Sequence, residues 1–221
     1  MYMSVLLGGC GGPMSALEPA GQGAADIAWI TWAMLIGTGV FMLLMSAFWL
    51  HAVYRRDKRP LAIGTRFLLL GGGVVLPLIV ITLLLVYGVR SGHSMLPIGE
   101  ADLTVEVTAF QWYWEFEYPE VDGAQVVTTD ELHLPVGQRI DFNILTADVI
   151  HSFWVPVLGG KVDAIPGRTN TLRLEPTHTG RFRGQCAEFC GALHAHMAFD
   201  VVVHEIEDFE DWLQEQAGAQ R

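Results

Sequence analysis

The sequence predicts a membrane-anchored β protein: a hairpin of two transmembrane helices followed by an antiparallel β-sandwich or barrel. Three observations predict it. Two long runs carry no charge, Ile27–Leu50 with 24 residues and Phe67–Val89 with 23. Beyond residue 91 the apolar residues switch to period two between regularly spaced turn signals. Charge also divides along the chain: the net of −11 conceals +4 over 51–66 and −14 over 91–221. The apolar share of 51% and charged share of 17% exclude a disordered chain, and the acidic balance argues against nucleic acid as a partner.

The hairpin follows from length. A bilayer core about 30 Å thick needs about 20 apolar residues at helical rise, so each uncharged run can span it. Trp29, Trp32 and Trp49 lie near the ends of the first run and Tyr87 near the end of the second, where aromatic residues favour the interface. The Gly71-Gly72-Gly73 triplet and Pro77 interrupt the second run, which a membrane helix tolerates. The connection holds Arg55, Arg56, Lys58, Arg59 and Arg66 against Asp57 alone, so the positive-inside rule puts loop 51–66 in the cytoplasm. The chain is then a multi-pass protein of the inner (plasma) membrane with its C-terminal domain on the periplasmic face.

Three segments result: a tail over 1–25, the hairpin over 26–90 and a soluble domain over 91–221. In the tail, Leu7-Gly8-Gly9-Cys10 has the form of a lipobox, as in a lipoprotein-type signal. The stretch before it is short and lacks a basic residue, so a lipidated Cys10 and a plain thiol stand as alternatives. Residues 11–25, rich in Gly, Ala and Pro, read as a flexible lead-in.

In the soluble half Leu103, Val105 and Val107 share one face, while Asp102, Thr104, Glu106 and Thr108 take the other. Similar runs recur at 125–128, 131–134, 139–145, 170–174, 181–185 and 198–204. Asp122-Gly123, Pro135-Val136-Gly137, Gly159-Gly160, Pro166-Gly167 and Thr179-Gly180 punctuate them. Short strands at such spacing indicate a sandwich or barrel. Ile206, Phe209, Trp212 and Leu213 at helical spacing predict a short amphipathic helix over Glu205–Gln216.

One constellation carries chemistry. Cys186, Cys190, His194 and Met197 form Cys-x3-Cys-x3-His-x2-Met, two thiols, an imidazole and a thioether within twelve residues. Soft sulfur with imidazole suits copper. Two bridging thiolates can hold two copper ions, which then require a second imidazole, and His151 is a candidate because it stands where one strand run ends. A Cys186–Cys190 disulfide is the alternative outside the cytoplasm. Zinc is another, although a thioether serves it poorly. His133, His178, His196 and His204 read as structural or exposed.

The ligand segment resembles the binuclear copper (CuA) motif of subunit II of haem–copper cytochrome c oxidases. The resemblance continues through Gln111-Trp112-Tyr113-Trp114, Asp148-Val149-Ile150-His151-Ser152 and Asp163-Ala164-Ile165-Pro166-Gly167-Arg168. It implies a cupredoxin-like Greek-key β-barrel on the hairpin. It implies a copper pair held by His151, Cys186, Cys190, His194, Met197 and the main-chain carbonyl of Glu188, whose side chain would face a magnesium ion shared with subunit I. Trp112 would be the aromatic through which the electron enters from cytochrome c. The implied membrane partners are subunit I, which holds the haems, reduces oxygen to water and translocates protons, and subunit III. The acidic domain offers Glu115, Glu117, Glu120, Asp122, Asp130 and Asp148 as candidates for attracting a basic cytochrome c.

Two features depart from the family pattern. Thr65–Leu70 has no glutamate for proton uptake near the start of the second helix, and Phe110 stands where relatives often have histidine. The sequence has no Cys-x-x-Cys-His haem-attachment motif, so a separate electron donor is expected. Three rivals remain: a quinol oxidase subunit II, which lacks the copper ligands; a CuA subunit of a nitric oxide reductase; and a membrane-tethered copper-binding module. The last has no use for Trp112-Tyr113-Trp114.

Overall fold

The computed structural model describes residues 11–55 and 64–220. Cys10 of the lipobox-like segment and Arg56, Asp57, Lys58 and Arg59 of the basic connection lie outside the described residues. Residues 29–93 form one compact unit, and 11–28 with 94–220 form another.

Both uncharged runs are helical. The first lies within α1 (Gln22–Tyr54). The second runs through α2 (Thr65–Phe67), a π-helical stretch Leu68–Val75 and α3 (Leu76–Ser94). The π-helical stretch has a local cause. Pro77 has no N–H to donate and its ring crowds the carbonyl one turn back. Gly71, Gly72 and Gly73 let the backbone widen, and Leu76 N–H bonds to Gly71 O, five residues back. The apolar side chains of both helices are exposed, as a lipid-facing surface requires, and Trp29 stacks on Tyr87 at 5.3 Å.

The other unit holds ten strands among the described residues: β1 (Leu103–Phe110), β2 (Tyr113–Val121), β3 (Ala124–Thr129), β4 (Glu131–Pro135), β5 (Ile140–Thr146), β6 (His151–Phe153), β7 (Val162–Ala164), β8 (Asn170–Leu174), β9 (Gly180–Gln185) and β10 (Ala198–His204). They form a five-stranded sheet ordered β3-β2-β1-β5-β8, a three-stranded sheet ordered β4-β10-β9 and the β6-β7 pair. The core includes Val105, Val107, Trp114, Phe116, Ile140, Phe142, Leu132, Leu134, Phe153, Phe199 and Val201. Phe153 and Phe199 stack at 5.3 Å and 12°. Gly184 lies opposite Phe199 in the register, and a Cβ there would overlap that ring.

Three features differ from the sequence reading. The sheets are mixed, because β1 pairs parallel with β5 and β4 parallel with β10. The alternation of side chains fixes the buried face of a strand and leaves its direction open. Second, β2 is a full nine-residue strand. Its Trp114, Phe116 and Tyr118 are buried, and Glu115 and Glu117 occupy the opposite face. The Asp122-Gly123 turn that joins β2 to β3 has φ of 51° and 77°, which suits a tight hairpin. Third, the lead-in is docked. Ala20 N–H donates to Val157 O, Gln22 N–H to Glu175 O, Ala24 N–H to Leu158 O and Arg183 N–H to Pro13 O. A Cβ at Gly21 would lie 2.7 Å from Leu158 O, so glycine permits the approach.

The chain leaving α3 is tied down by Arg173. This buried guanidinium pairs with Asp141 at 2.7 and 2.8 Å and donates to Ile98 O and Gly99 O. At the far end α4 (Ile206–Ala219) lays Phe209, Trp212, Leu213 and Ala217 on the barrel, leaving Ile206 exposed. Gln220 bonds both main-chain groups of Val127, covering the free edge of β3.

His133 is sandwiched beneath α4. Its ring stacks on Trp212 at 3.9 Å and 5°, its Nδ1 faces His204 Nε2 at 2.8 Å, and its Nε2 faces Glu131 at 3.2 Å. Burial holds both imidazoles below the usual histidine range, in His133 against the pull of Glu131. The unfolded chain therefore binds more protons, and this contribution to stability is present above about pH 6.5 and lost as pH falls below it. The melting temperature of the detergent-solubilised chain should drop between about pH 6.5 and pH 5, and the drop should shrink in His133→Phe. Identical profiles for the two proteins, followed by circular dichroism, would contradict this account.

Candidate metal centre

The site is built by one closed loop. The β9 and β10 strands pair antiparallel with Gln185 opposite Ala198, and the next bond outward, Cys186 N–H to Met197 O at 2.9 Å, closes the mouth. The ligand segment is thus a loop whose two ends are fixed by the sheet. A second set of bonds stitches it to β6: Ala187 N–H donates to Ser152 O and Gln185 N–H to Trp154 O, both at 2.9 Å. That brings His151, at the start of β6, against Cys186. Within the loop Gly191 has φ of +122°, a conformation open to glycine, and a 3₁₀ turn over His194–His196 aims His194 inward.

The two sulfurs lie at the centre, Cys186 Sγ and Cys190 Sγ 3.8 Å apart. His151 Nδ1 is 3.8 Å from Cys186 Sγ, which also points at Glu188 O at 3.3 Å. His194 Nδ1 and Met197 Sδ each lie 3.6 Å from Cys190 Sγ. His151, Cys186, Cys190 and Met197 are buried, with exposures of 0 to 3%. Ligand atoms of His151, Cys186 and Cys190 lie within 4.8 Å of one another, the one such group among the described residues. Burial, reinforced by the neighbouring Cys186, pushes the Cys190 thiol up to about 12. A cation bound there would displace the Cys190 proton, so binding would release protons and strengthen as pH rises. The donor set of two thiols, two imidazoles, a thioether and a carbonyl fits copper.

Around the donors runs a ring of fixed polar groups. Asp148 Oδ1 sits 2.8 Å from His151 Nε2 and also accepts Val149 N–H, while Oδ2 accepts Gln111 N–H at 2.7 Å. Desolvation raises the Asp148 carboxyl, but its bonds from His151, Val149 and Gln111 outweigh this and hold it below the usual carboxylate range. An Nε2–H donated to Asp148 leaves the Nδ1 lone pair of His151 facing the sulfurs, the orientation a metal needs. On the other side Gln111 Nε2 and Trp112 Nε1 both donate to Cys190 O, at 2.8 and 3.2 Å. Trp114 meets the His151 ring edge-on at 6.1 Å.

The structure brings together His151, Cys186, Glu188, Cys190, His194 and Met197, with Trp112 on the rim. The Glu188 side chain is exposed, and its main-chain oxygen faces Cys186. The acidic candidates divide. Glu117, Glu120 and Asp122 are exposed and Glu115 is half-buried, whereas Asp130 accepts Trp114 N–H at 2.8 Å and Asp148 is committed to His151. Spacing to His151 could have suggested the role of Asp148, since Asp three residues before a ligand can reach its ring. That of Gln111 had no such signal, because its partner is 79 residues away.

Comparisons with known proteins point to one family. A family model described as cytochrome c oxidase subunit II, periplasmic domain, matches residues 122–206. The chain is similar to cytochrome c oxidase subunit 2 of Alkalihalophilus pseudofirmus, 32% identical over 96% of this chain and 66% of the relative. It is 34% identical to the same subunit of Lycodon semicarinatus over 63% of this chain and 69% of the relative. The crystal structure of the periplasmic domain of subunit II of cytochrome oxidase of Bradyrhizobium japonicum superposes with a TM-score of 0.52 at 34% identity, covering 56% of this chain and 99% of that one. The chain spans 50 to 66% of the length of the first curated relatives it matches.

If Asp148 orients His151, Asp148→Ala should lower copper affinity by about 10- to 100-fold. Titration against a copper chelator measures this. Unchanged affinity would show that His151 is held by packing alone.

Proposed function

Since the chain belongs to the cytochrome c oxidase subunit II family, we propose that it accepts electrons from a basic cytochrome c at a binuclear copper centre. It passes them to the haems of a partner subunit I, which reduces oxygen to water and translocates protons. The observation that carries this reading is the pair of buried sulfurs 3.8 Å apart, flanked by two imidazoles whose Nδ1 atoms face them.

In this reading the residues that would hold the copper pair are Cys186, Cys190, His151, His194 and Met197, with the main-chain carbonyl of Glu188. Bound there, the copper pair supplies a one-electron couple whose charge change is spread over two metals and two sulfurs. The protein limits rearrangement. The bonds Cys186 N–H to Met197 O and Ala187 N–H to Ser152 O fix the loop, Asp148 fixes His151, and burial excludes water. The exposed Glu188 carboxylate is available to a magnesium ion shared with subunit I. Trp112, hydrogen-bonded to Cys190 O, is the aromatic through which the electron enters.

The setting follows the charges. The chain lies in the inner (plasma) membrane, with loop 51–66 in the cytoplasm and the β domain on the periplasmic face, beside subunit I and subunit III. Glu115, Glu117, Glu120 and Asp122 steer the donor, within a domain of net −14.

Electron paramagnetic resonance of the copper-loaded protein tests the centre. The expected hyperfine pattern is that of one electron shared equally by two copper nuclei, abolished by Cys186→Ser. A one-copper spectrum, or one insensitive to that substitution, would refute the binuclear reading. Oxidase turnover on a basic cytochrome c should fall as ionic strength rises; a flat or rising profile would remove the steering role.

A further inference from the structure

The rim of the copper site contains a lock that the ligand set does not require. Trp112 sits in the two-residue connection between β1 and β2, flanked by the paired Phe110 and Tyr113, whose rings stack at 4.7 Å and 3°. The strands fix its backbone, but its indole bonds to the metal loop only through Nε1–H and Cys190 O, at 3.2 Å. The same carbonyl accepts the shorter bond from Gln111 Nε2, at 2.8 Å. A carbonyl oxygen has two lone pairs, and these two donors fill them.

Gln111 is held from behind as well. Its main-chain N–H donates to Asp148 Oδ2 at 2.7 Å, and the other oxygen of that carboxylate faces His151 Nε2. One residue therefore grips the sulfur side of the centre with its side chain and the imidazole side with its backbone. Gly191 makes room for this grip: a Cβ there would lie 3.1 Å from Gln111 Nε2 and 3.2 Å from Trp112 Cζ2.

We infer that Gln111 is a positioning residue for electron transfer, registering the Trp112 indole against the Cys190 peptide. The inference rests on the reading of Trp112 as the point where the electron enters. One electron leaves the donor haem, which passes from ferrous to ferric, and reaches the metal pair past the indole and the Cys190 peptide; no bond forms or breaks and no proton moves. Efficiency over such a path depends on the 3.2 Å contact, and Gln111 sets it. Without the amide, the Trp112 Nε1–H alone bonds to the Cys190 carbonyl, and the registration of the indole on that peptide rests on one bond and the packing of the ring.

The test uses the assembled oxidase complex with Gln111→Leu, which keeps bulk and removes both donors, and Gln111→Glu, which sets a carboxylate against the carbonyl. Gln111 is exposed, so both proteins should fold, and copper content is measured first. The expected result is an about tenfold or larger loss in the rate of copper reduction by bound cytochrome c, seen by stopped flow at saturating donor. In Gln111→Leu, which adds no charge, the donor KM, its salt dependence, the copper paramagnetic spectrum and the copper potential should not change. Unchanged reduction rates in both variants would overturn the proposal. So would a loss in Gln111→Leu accompanied by an altered spectrum or potential, because Gln111 would then act on the metal shell rather than on Trp112. Trp112→Phe and Trp112→Ala run in parallel separate the two readings. If neither slows reduction, the role of Trp112 fails; if they slow it and the Gln111 variants do not, only the positioning role fails.

Discussion

The register of β9 against β10 is the constraint on which the site depends. With Gln185 opposite Ala198, the next bond outward joins Cys186 N–H to Met197 O, and every donor of the loop lies between those two residues. A shift of one residue would break that closing bond and turn the side chains of the shifted strand to the opposite face of the sheet. Packing beneath the loop enforces the register. Phe199 can lie over Gly184 because that position has no Cβ, and the ring then stacks on Phe153, two residues beyond His151. One glycine and two phenylalanines thus align β6 with β9 and β10, and the imidazole from one meets the sulfurs from the other.

A site assembled in this way has its residues placed by the sheet register and by the bonds that close the loop. Two thiols, an imidazole and a thioether are buried with little polar company, which is why the Cys190 thiol is pushed up to about 12. The surrounding bonds run to backbone and to Asp148 rather than to the sulfurs. This suits a centre meant to change its electron count with little motion, since the groups that would otherwise relax are held by the sheet.

Much of this was legible in the sequence. The uncharged runs, the alternating strands and the Cys-x3-Cys-x3-His-x2-Met spacing are local patterns, and each is dictated by a period or an offset. β2 is equally legible, because Trp114, Phe116 and Tyr118 alternate with Glu115 and Glu117. Strand direction was not legible, since side-chain alternation is the same in parallel and antiparallel pairs. Nor was the docked lead-in: its bonds to Val157, Leu158, Glu175 and Arg183 are made by the backbone, and Gly, Ala and Pro look alike whether a segment is loose or packed too closely to admit side chains.

Asp148 illustrates the deeper limit. Sequence proximity to His151 places it among the acids offered to a donor. The folded chain gives both of its oxygens inward partners, His151 and Val149 on one and Gln111 on the other. Its charge then contributes in two ways at once. At long range it still adds to the negative field of the domain, which falls off over a Debye length of about 8 Å at physiological salt. At short range it meets the His151 ring and the Gln111 main-chain N–H. Partner geometry, which spacing alone does not give, distinguishes Asp148: its oxygens meet the His151 ring and the Val149 and Gln111 N–H groups, while it remains one of the exposed acids that add to the field.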